Sequence, residues 1–337
     1  MEERLQDNDV LFEKLRVEVD AGQTPIRIDK YLAEHVADVS RNRIQTAIEA
    51  GNVYVGEKII KANYKVKPFD VIRILMDYEP QDYSITPENI PLNIVYEDDE
   101  VLVVNKPAGM VVHPGHGNFS GTLLHALAYH FQNSLDMNDP SIGLVHRIDK
   151  DTSGLLLVAK TPLAKSLLGK QFFDHSVERT YNALVWGRFD EPQGTIHKAL
   201  TRNPKDRTLY TIAKEDDTTA KDAITHWRVL ENLLYVTLIE CKLETGRTHQ
   251  IRVHMQSIGH PLFNDEKYGG KQLLKGVRTP EYKQFVERCF ALCPRQVLHA
   301  KTLGFTHPTT HERMFFDSDW ADDIQQLITA WRTYCHE

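Results

Sequence analysis

At 337 residues the chain has room for one large domain and a smaller companion. Its composition, 41% hydrophobic and 26% charged, is that of a globular protein. No run nears the roughly 18 apolar residues of a membrane span, and four irregularly spaced cysteines suggest neither a disulfide framework nor a thiolate zinc site. A formal net charge of -7 argues against wholesale electrostatic wrapping of nucleic acid while leaving room for a local basic face.

Residues 1 to 22 read as an acidic, solvated extension without the apolar core of a signal peptide, so a cytoplasmic location is expected. Residues 23 to 76 read as a small α/β unit. In IRIDKYLAEHVA, Ile28, Leu32 and Val36 recur every fourth residue and predict one apolar helical face. SRNRIQTAIEAG predicts a second helix, with Ser40 as N-cap, a buried stripe of Ile44, Ala47 and Ile48, and Gly51 ending it. Two short strands, NVYV and VIRIL, follow. Between Ile26 and Leu75, nine Lys or Arg stand against six Asp or Glu, so charge segregates onto this piece.

Residues 77 to 90 fall in MDYEPQDYSITPENIP, which has three prolines and no hydrophobic period, and read as a linker. A strand-rich domain is expected over residues 91 to 330. IVYEDDEVLVVNKPAG predicts a hairpin, and further strands are expected at LLLVA, TYNALVWG, AITHWRVLE, LLYVTLIECKLE and RQVLHAKTLGF. Helices are expected to begin near Pro162 and near Thr248, with another across SDWADDIQQLITAWRTY. Strands follow strands without steady alternation with helices. The fold class is therefore α+β, with a mixed, largely antiparallel sheet and flanking helices.

Three stretches carry candidate chemistry. In GLVHRIDKDTSGLLLVAK a charged run containing Arg147 and Asp149 enters a buried strand, and charges beside a core are costly unless paired or in use. An ion pair capping a strand is the ordinary reading; a carboxylate on a loop anchored by a rigid strand is the chemical one. In LETGRTHQIRVHMQSIGHPL, Arg247 stands where Thr248 can cap a helix with the stripe Ile251, Met255 and Ile258. The helix dipole disfavours a cation there, so an anion is expected beside it. His249 and His254 are five apart, which is not the helical zinc spacing, and no metal is expected. In ERTYNALVWG, Tyr181 is either core or a ring laid flat on a base; Leu298 of RQVLHA is either core or the opposite wall of such a slot.

Taken together, HRIDKDTSGLLLVAK, NKPAGMVVHPG, RTYNALVWG, LETGRTHQIRVH and RQVLHA resemble the motifs of the RluA-type pseudouridine synthases of large-subunit ribosomal RNA, in order and spacing. Ile148 in place of Leu is the one departure in the signature. IRIDKYLAEHVADVSRNRIQTAIEAGNVYV is similar to the RNA-binding domain named for ribosomal protein S4, and the domain order is closest to the RluD-like subgroup acting on helix-sixty-nine-type stem-loops. The resemblance implies detachment of uracil from ribose at N1, its rotation, and rejoining through C5, with no cofactor. It makes Asp149 the catalytic carboxylate, with Arg247 as its ion-pair partner, and has Tyr181 stack on the uracil. Arg147 would fill the gap left by the extracted nucleotide, and Leu298 would close the apolar side.

In the N-terminal unit, Arg27, Lys30, Arg41 and Arg43 are expected to meet RNA phosphates. The expected partner is large-subunit ribosomal RNA or a pre-ribosomal particle, with no membrane and a monomeric enzyme. The alternatives are a non-catalytic ribosome-assembly factor, the same chemistry on tRNA, and a His/Asp metal hydrolase.

Overall fold

The computed structural model describes residues 12–36, 41–49, 51–76, 85–115, 117–132, 134–136, 138, 143–206 and 208–336. The chain divides into two units, residues 1–82 and 83–337.

In the smaller unit, β1 (Phe12–Glu18), β2 (Val53–Val55), β3 (Lys58–Ile59) and β4 (Val71–Met76) form a four-stranded antiparallel sheet in the order β1-β4-β2-β3. The sheet shares one apolar core with α1 (Ile28–His35) and α2 (Arg41–Glu49). Ile28, Leu32, Ile44 and Ile48 are all buried, as their spacing requires, and Gly51 leaves the second helix with φ +78°. The expected cap Ser40 lies outside the described residues. The solvated extension needs correcting: residues 12–18 are a strand on β4, because Leu15, Val17 and Val19 alternate toward the core of this unit.

The larger unit runs, in chain order, β5 (Ile94–Glu97), β6 (Val101–Lys106), α3 (Leu123–Phe131), β7 (Gly143–Leu144), β8 (Ser153–Ala159), α4 (Pro162–Phe173) and β9 (Glu178–Trp186). It continues with β10 (Gln193–His197), β11 (Leu200–Arg202), β12 (Tyr210–Ile212), β13 (Ile224–Leu233), β14 (Val236–Leu243) and α5 (Gln250–Ser257). The chain then forms α6 (Pro280–Leu292), β15 (Leu298–Thr306), β16 (Arg313–Asp317) and α7 (Asp322–His336). Ten strands make one sheet along the path β10-β13-β14-β9-β15-β8-β6-β5, with β16 on β15 and β7 on β8. Every pairing is antiparallel except β15 with β8, so the sheet is mixed as expected. Strands β11 and β12 form a separate ribbon.

The uninterrupted burial of β8 has a simple cause: both of its faces are covered. Leu156 and Val158 pack with Leu123, Leu127 and Phe131 of α3, while Leu155 and Leu157 pack with Ala164 and Leu168 of α4. Along β9 the same alternation sends Tyr181, Ala183 and Val185 into the α3 side. Leu184 and Trp186 go to a second cluster with Phe285 of α6 and Trp331 of α7. Each such aliphatic side chain contributes about 1.5–3 kcal/mol on burial. The central strands therefore form a rigid base for whatever sits at their ends.

Candidate active site

Asp149 lies in the loop between β7 and β8, and four side chains brace that loop. Lys106 Nζ, at the end of β6 and fully buried, donates to the carbonyls of Pro107, Met110 and Lys150 at 2.7, 2.9 and 3.0 Å. Burial pulls the Lys106 pKa down to about 7, while Asp151 and Asp149 favour its charged form. Three carbonyl acceptors match the three N–H groups of an ammonium. Arg295 donates to the Asp151 carbonyl at 2.8 Å and to Ser153 Oγ at 3.2 Å, and its other edge grips Asp323 of α7. His299 Nδ1 meets the same Ser153 hydroxyl at 2.9 Å. His146 Nε2 accepts from the Leu157 amide at 2.9 Å, and burial lowers the His146 pKa to about 3, so this ring is neutral. Immediately after the loop, Gly154 has φ +114°, and a Cβ there would lie 2.3 Å from the Ala300 carbonyl oxygen. Only glycine lets β8 approach β15 this closely.

The cation beside Asp149 is Arg252, which corrects the expected Arg247 pair. Arg252 Nη1 donates to Asp149 Oδ2 at 3.1 Å. Its Nε and Nη2 donate to the two oxygens of Asp265 at 2.7 and 2.9 Å. Asp265 is completely buried and also accepts the backbone amides of Lys267 and Tyr268. The guanidinium stacks over the Tyr268 ring at 4.8 Å. Burial works against its charge, but Asp265 and Asp149 prevail and raise its pKa. Arg247, by contrast, is exposed, and its Nε donates to the Asp222 carbonyl at 3.0 Å.

The physical reason for the difference lies in where α5 begins. His249 takes the cap position with φ 58°, and helix starts at Gln250. The Gln250 side chain accepts the Arg247 amide and bonds Thr245, Ile224 and Thr225, which replaces the expected Thr248 cap. Residues Gln250 to Met255 are then all buried, so Arg252 is carried inside and Arg247 stays on the rim. An arginine within a run that holds Ile251, Val253 and Met255 was the available signal for this partner. His249 completes the corner: Nδ1 is 2.8 Å from Tyr268 Oη and Nε2 is 3.9 Å from Asp149 Oδ2. Burial lowers its pKa.

Asp149, Tyr181, Leu298, Arg147 and Arg247 all line one cleft of about 530 Å³, within the range of small-ligand sites. Tyr181, on β9, is 7% exposed, and burial raises its pKa. Leu298 opens β15 and is 5% exposed. Arg147 is exposed at the mouth. Both described side-chain contacts of Asp149 fall on Oδ2; Oδ1 carries none among the described residues. The cleft thus pairs an anchored carboxylate with apolar and aromatic walls and a cationic rim. Among the described residues, no three His, Cys, Asp or Glu side chains cluster as metal ligands.

In the smaller unit, Arg27 and Arg41 converge on Asp29, which is completely buried. Burial pushes the Asp29 carboxyl up, but hydrogen bonds from Arg41, Arg27 and Gln45 hold it well below the usual carboxylate range. Both arginines keep 47% of their side-chain surface exposed, and Lys30 is exposed. The Arg43 side chain lies outside the described residues.

Residues 100–257 match the model of the RNA pseudouridylate synthase family, and residues 26–72 match the S4 domain. The chain is 41% identical to an uncharacterized RNA pseudouridine synthase of Chlorobaculum parvum, over 95% of this chain and 98% of that one. It is 42% identical to the ribosomal large subunit pseudouridine synthase D of Zymomonas mobilis, covering 90% and 92%. Human RNA pseudouridylate synthase domain containing 4 shares the fold, with a TM-score of 0.57 at 21% identity over 71% of this chain and 93% of that one.

Proposed function

Because this chain belongs to the RNA pseudouridine synthase family, we propose that it converts specific uridines of large-subunit ribosomal RNA to pseudouridine, using Asp149 in the cleft. The observation that carries this reading is the Asp149–Arg252 ion pair facing Tyr181 and Leu298 across one cleft. The N1–C1′ bond breaks, the freed uracil turns, and a C5–C1′ bond forms. The C5 proton leaves and N1 gains one, so the reaction balances without an outside group. Asp149 acts on the ribose or the base as an anion; Arg252 supplies its counter-charge in a water-poor corner. Tyr181 lies along the uracil, and Leu298 closes the opposite side. Arg147, at the mouth, takes the place of the extracted nucleotide, offsetting an extraction cost of about a few kcal/mol.

Ribosomal RNA is favoured as the substrate because relatives aligned over 90% of this chain carry the large-subunit name. The smaller unit adds phosphate contacts from Arg27, Lys30, Arg41 and Arg43.

The test is tritium release from large-subunit RNA transcribed with uridine labelled at C5. Wild-type protein releases label, and Asp149→Asn, which keeps the shape but loses the anion, does not. Full-rate release by the Asn variant refutes the assignment. Mapping pseudouridines in cells with and without the gene then identifies the positions.

A further inference from the structure

Phe173 is the last residue of α4 and is 82% exposed, the highest value for any large hydrophobic side chain among the described residues. Its neighbour Phe172 is accounted for: the ring stacks on His146 at 4.7 Å and carries the Arg179 guanidinium at 5.0 Å. Among the described residues, no ring stack or cation contact engages Phe173. It is nevertheless well placed, because it lines the same cleft as Asp149 and Arg147. The backbone beneath it is held. Asp174 N bonds the Lys170 carbonyl, Ser176 N bonds the Gln171 carbonyl, and His175 turns the chain with φ 56°.

A bare aromatic ring at a cationic rim fits one occupant well. Phosphates of an entering strand are drawn to Arg147 and Arg247, and the bases between them need a flat apolar surface. Every nucleobase has a π-face, so such a surface tolerates sequence. We propose that Phe173 is a stacking platform for a nucleobase flanking the extracted uridine, a substrate-binding residue outside the chemical step. This rests on the RNA-modifying reading above. The platform steadies the strand after the uridine leaves its stack, so its contribution falls on RNA binding.

The experiment uses the full chain and a hairpin transcript carrying the mapped uridine, with tritium release as readout. Phe173→Ala is expected to raise KM about tenfold, the size of one lost base–aromatic stack, with kcat nearly unchanged. Phe173→Trp and Phe173→Tyr restore KM, and Phe173→Leu does not. On a hairpin with an abasic residue at the flanking position, wild type and Phe173→Ala become equal. A wild-type KM for the alanine variant overturns the proposal, as does restoration by leucine or an unchanged penalty on the abasic hairpin. Failure of the wild type to release tritium from any RNA counts instead against the enzyme reading.

Discussion

Arg252 holds two carboxylates at once, Asp149 at 3.1 Å and Asp265 at 2.7 Å, from opposite edges of one guanidinium. Asp265 is fully buried and anchored by two backbone amides, so it fixes the plane of the guanidinium that meets Asp149. A lysine has the charge but not the fork. Arg252→Lys is expected to lower kcat about a hundredfold through misplacement of the reacting groups. Arg252→Met leaves a buried charge unpaired and costs about 3–5 kcal/mol of stability. Steady-state kinetics and denaturant titration separate the two. Near-normal kcat for the lysine variant refutes the clamp.

Arg295 ties the loop of Asp149 to α7 through Asp151, Ser153 and Asp323 without lining the cleft. On the proposed function it would be a positioning residue for Asp149. Arg295→Lys is expected to reduce kcat at least tenfold with little change in KM, because RNA contacts are untouched while the carboxylate shifts. A matching rise in KM would point to general loosening of the cleft instead.

Gly154→Ala forces a Cβ into the Ala300 backbone and places a side chain at φ +114°. The conformation alone costs about 1–3 kcal/mol. The melting temperature is expected to fall by several degrees, and activity should fall with it because β8 is pushed from β15. An alanine variant melting with wild type would show that the two strands are not held this closely.

Two buried histidines set an acid limit. Burial lowers His299 to about 4 and His146 to about 3, whereas both return to about 6.5 when unfolded. The unfolded chain therefore binds more protons below pH 6.5. This stability is complete above that pH and is lost progressively as pH falls through 4. The His299 share is at most about 3 kcal/mol. Urea midpoints should decline between pH 6.5 and 4, and less steeply for His299→Gln; a flat profile contradicts the assignment.

Deleting residues 1–82 is expected to weaken RNA binding and flatten its salt dependence. The slope of log affinity against log salt falls by about 0.7–0.9 for each lost phosphate contact. Slow tritium release should persist. An unchanged slope would mean that the basic residues of the small unit do not meet RNA.

Much of this architecture was legible because period and burial agree. LLLVA is a continuous apolar run and TYNALVWG nearly one, broken at Asn182, and a strand covered on both faces looks like that. Pro162 marked the start of α4, while α6 was not expected, although it opens with the same cap-and-proline pair at Thr279-Pro280. α3 was missed because LLHALAYHF is buried nearly all round, which erases the amphipathic stripe. β1 was hidden by its alternating charges. Asp149, Tyr181, Leu298 and Arg147 were singled out from the sequence and line one cleft, but the partner of Asp149 was not legible. The cap of α5 lies one residue later than expected, at His249 instead of Thr248, and the buried run Gln250 to Met255 carries Arg252 inward while Arg247 stays on the rim. The Asp29 clamp of Arg27 and Arg41 was likewise invisible, since it depends on two helices crossing.

β15 separates β8, which follows Asp149, from β9, which carries Tyr181, yet it arrives more than a hundred residues after both. During synthesis, then, every residue of the signature loop leaves the ribosome well before the strand that supplies Leu298 and closes the gap. Until Leu298–Thr306 emerges and slots between its neighbours, the newborn polypeptide lacks one wall of the cleft and the strand that joins β8 to β9.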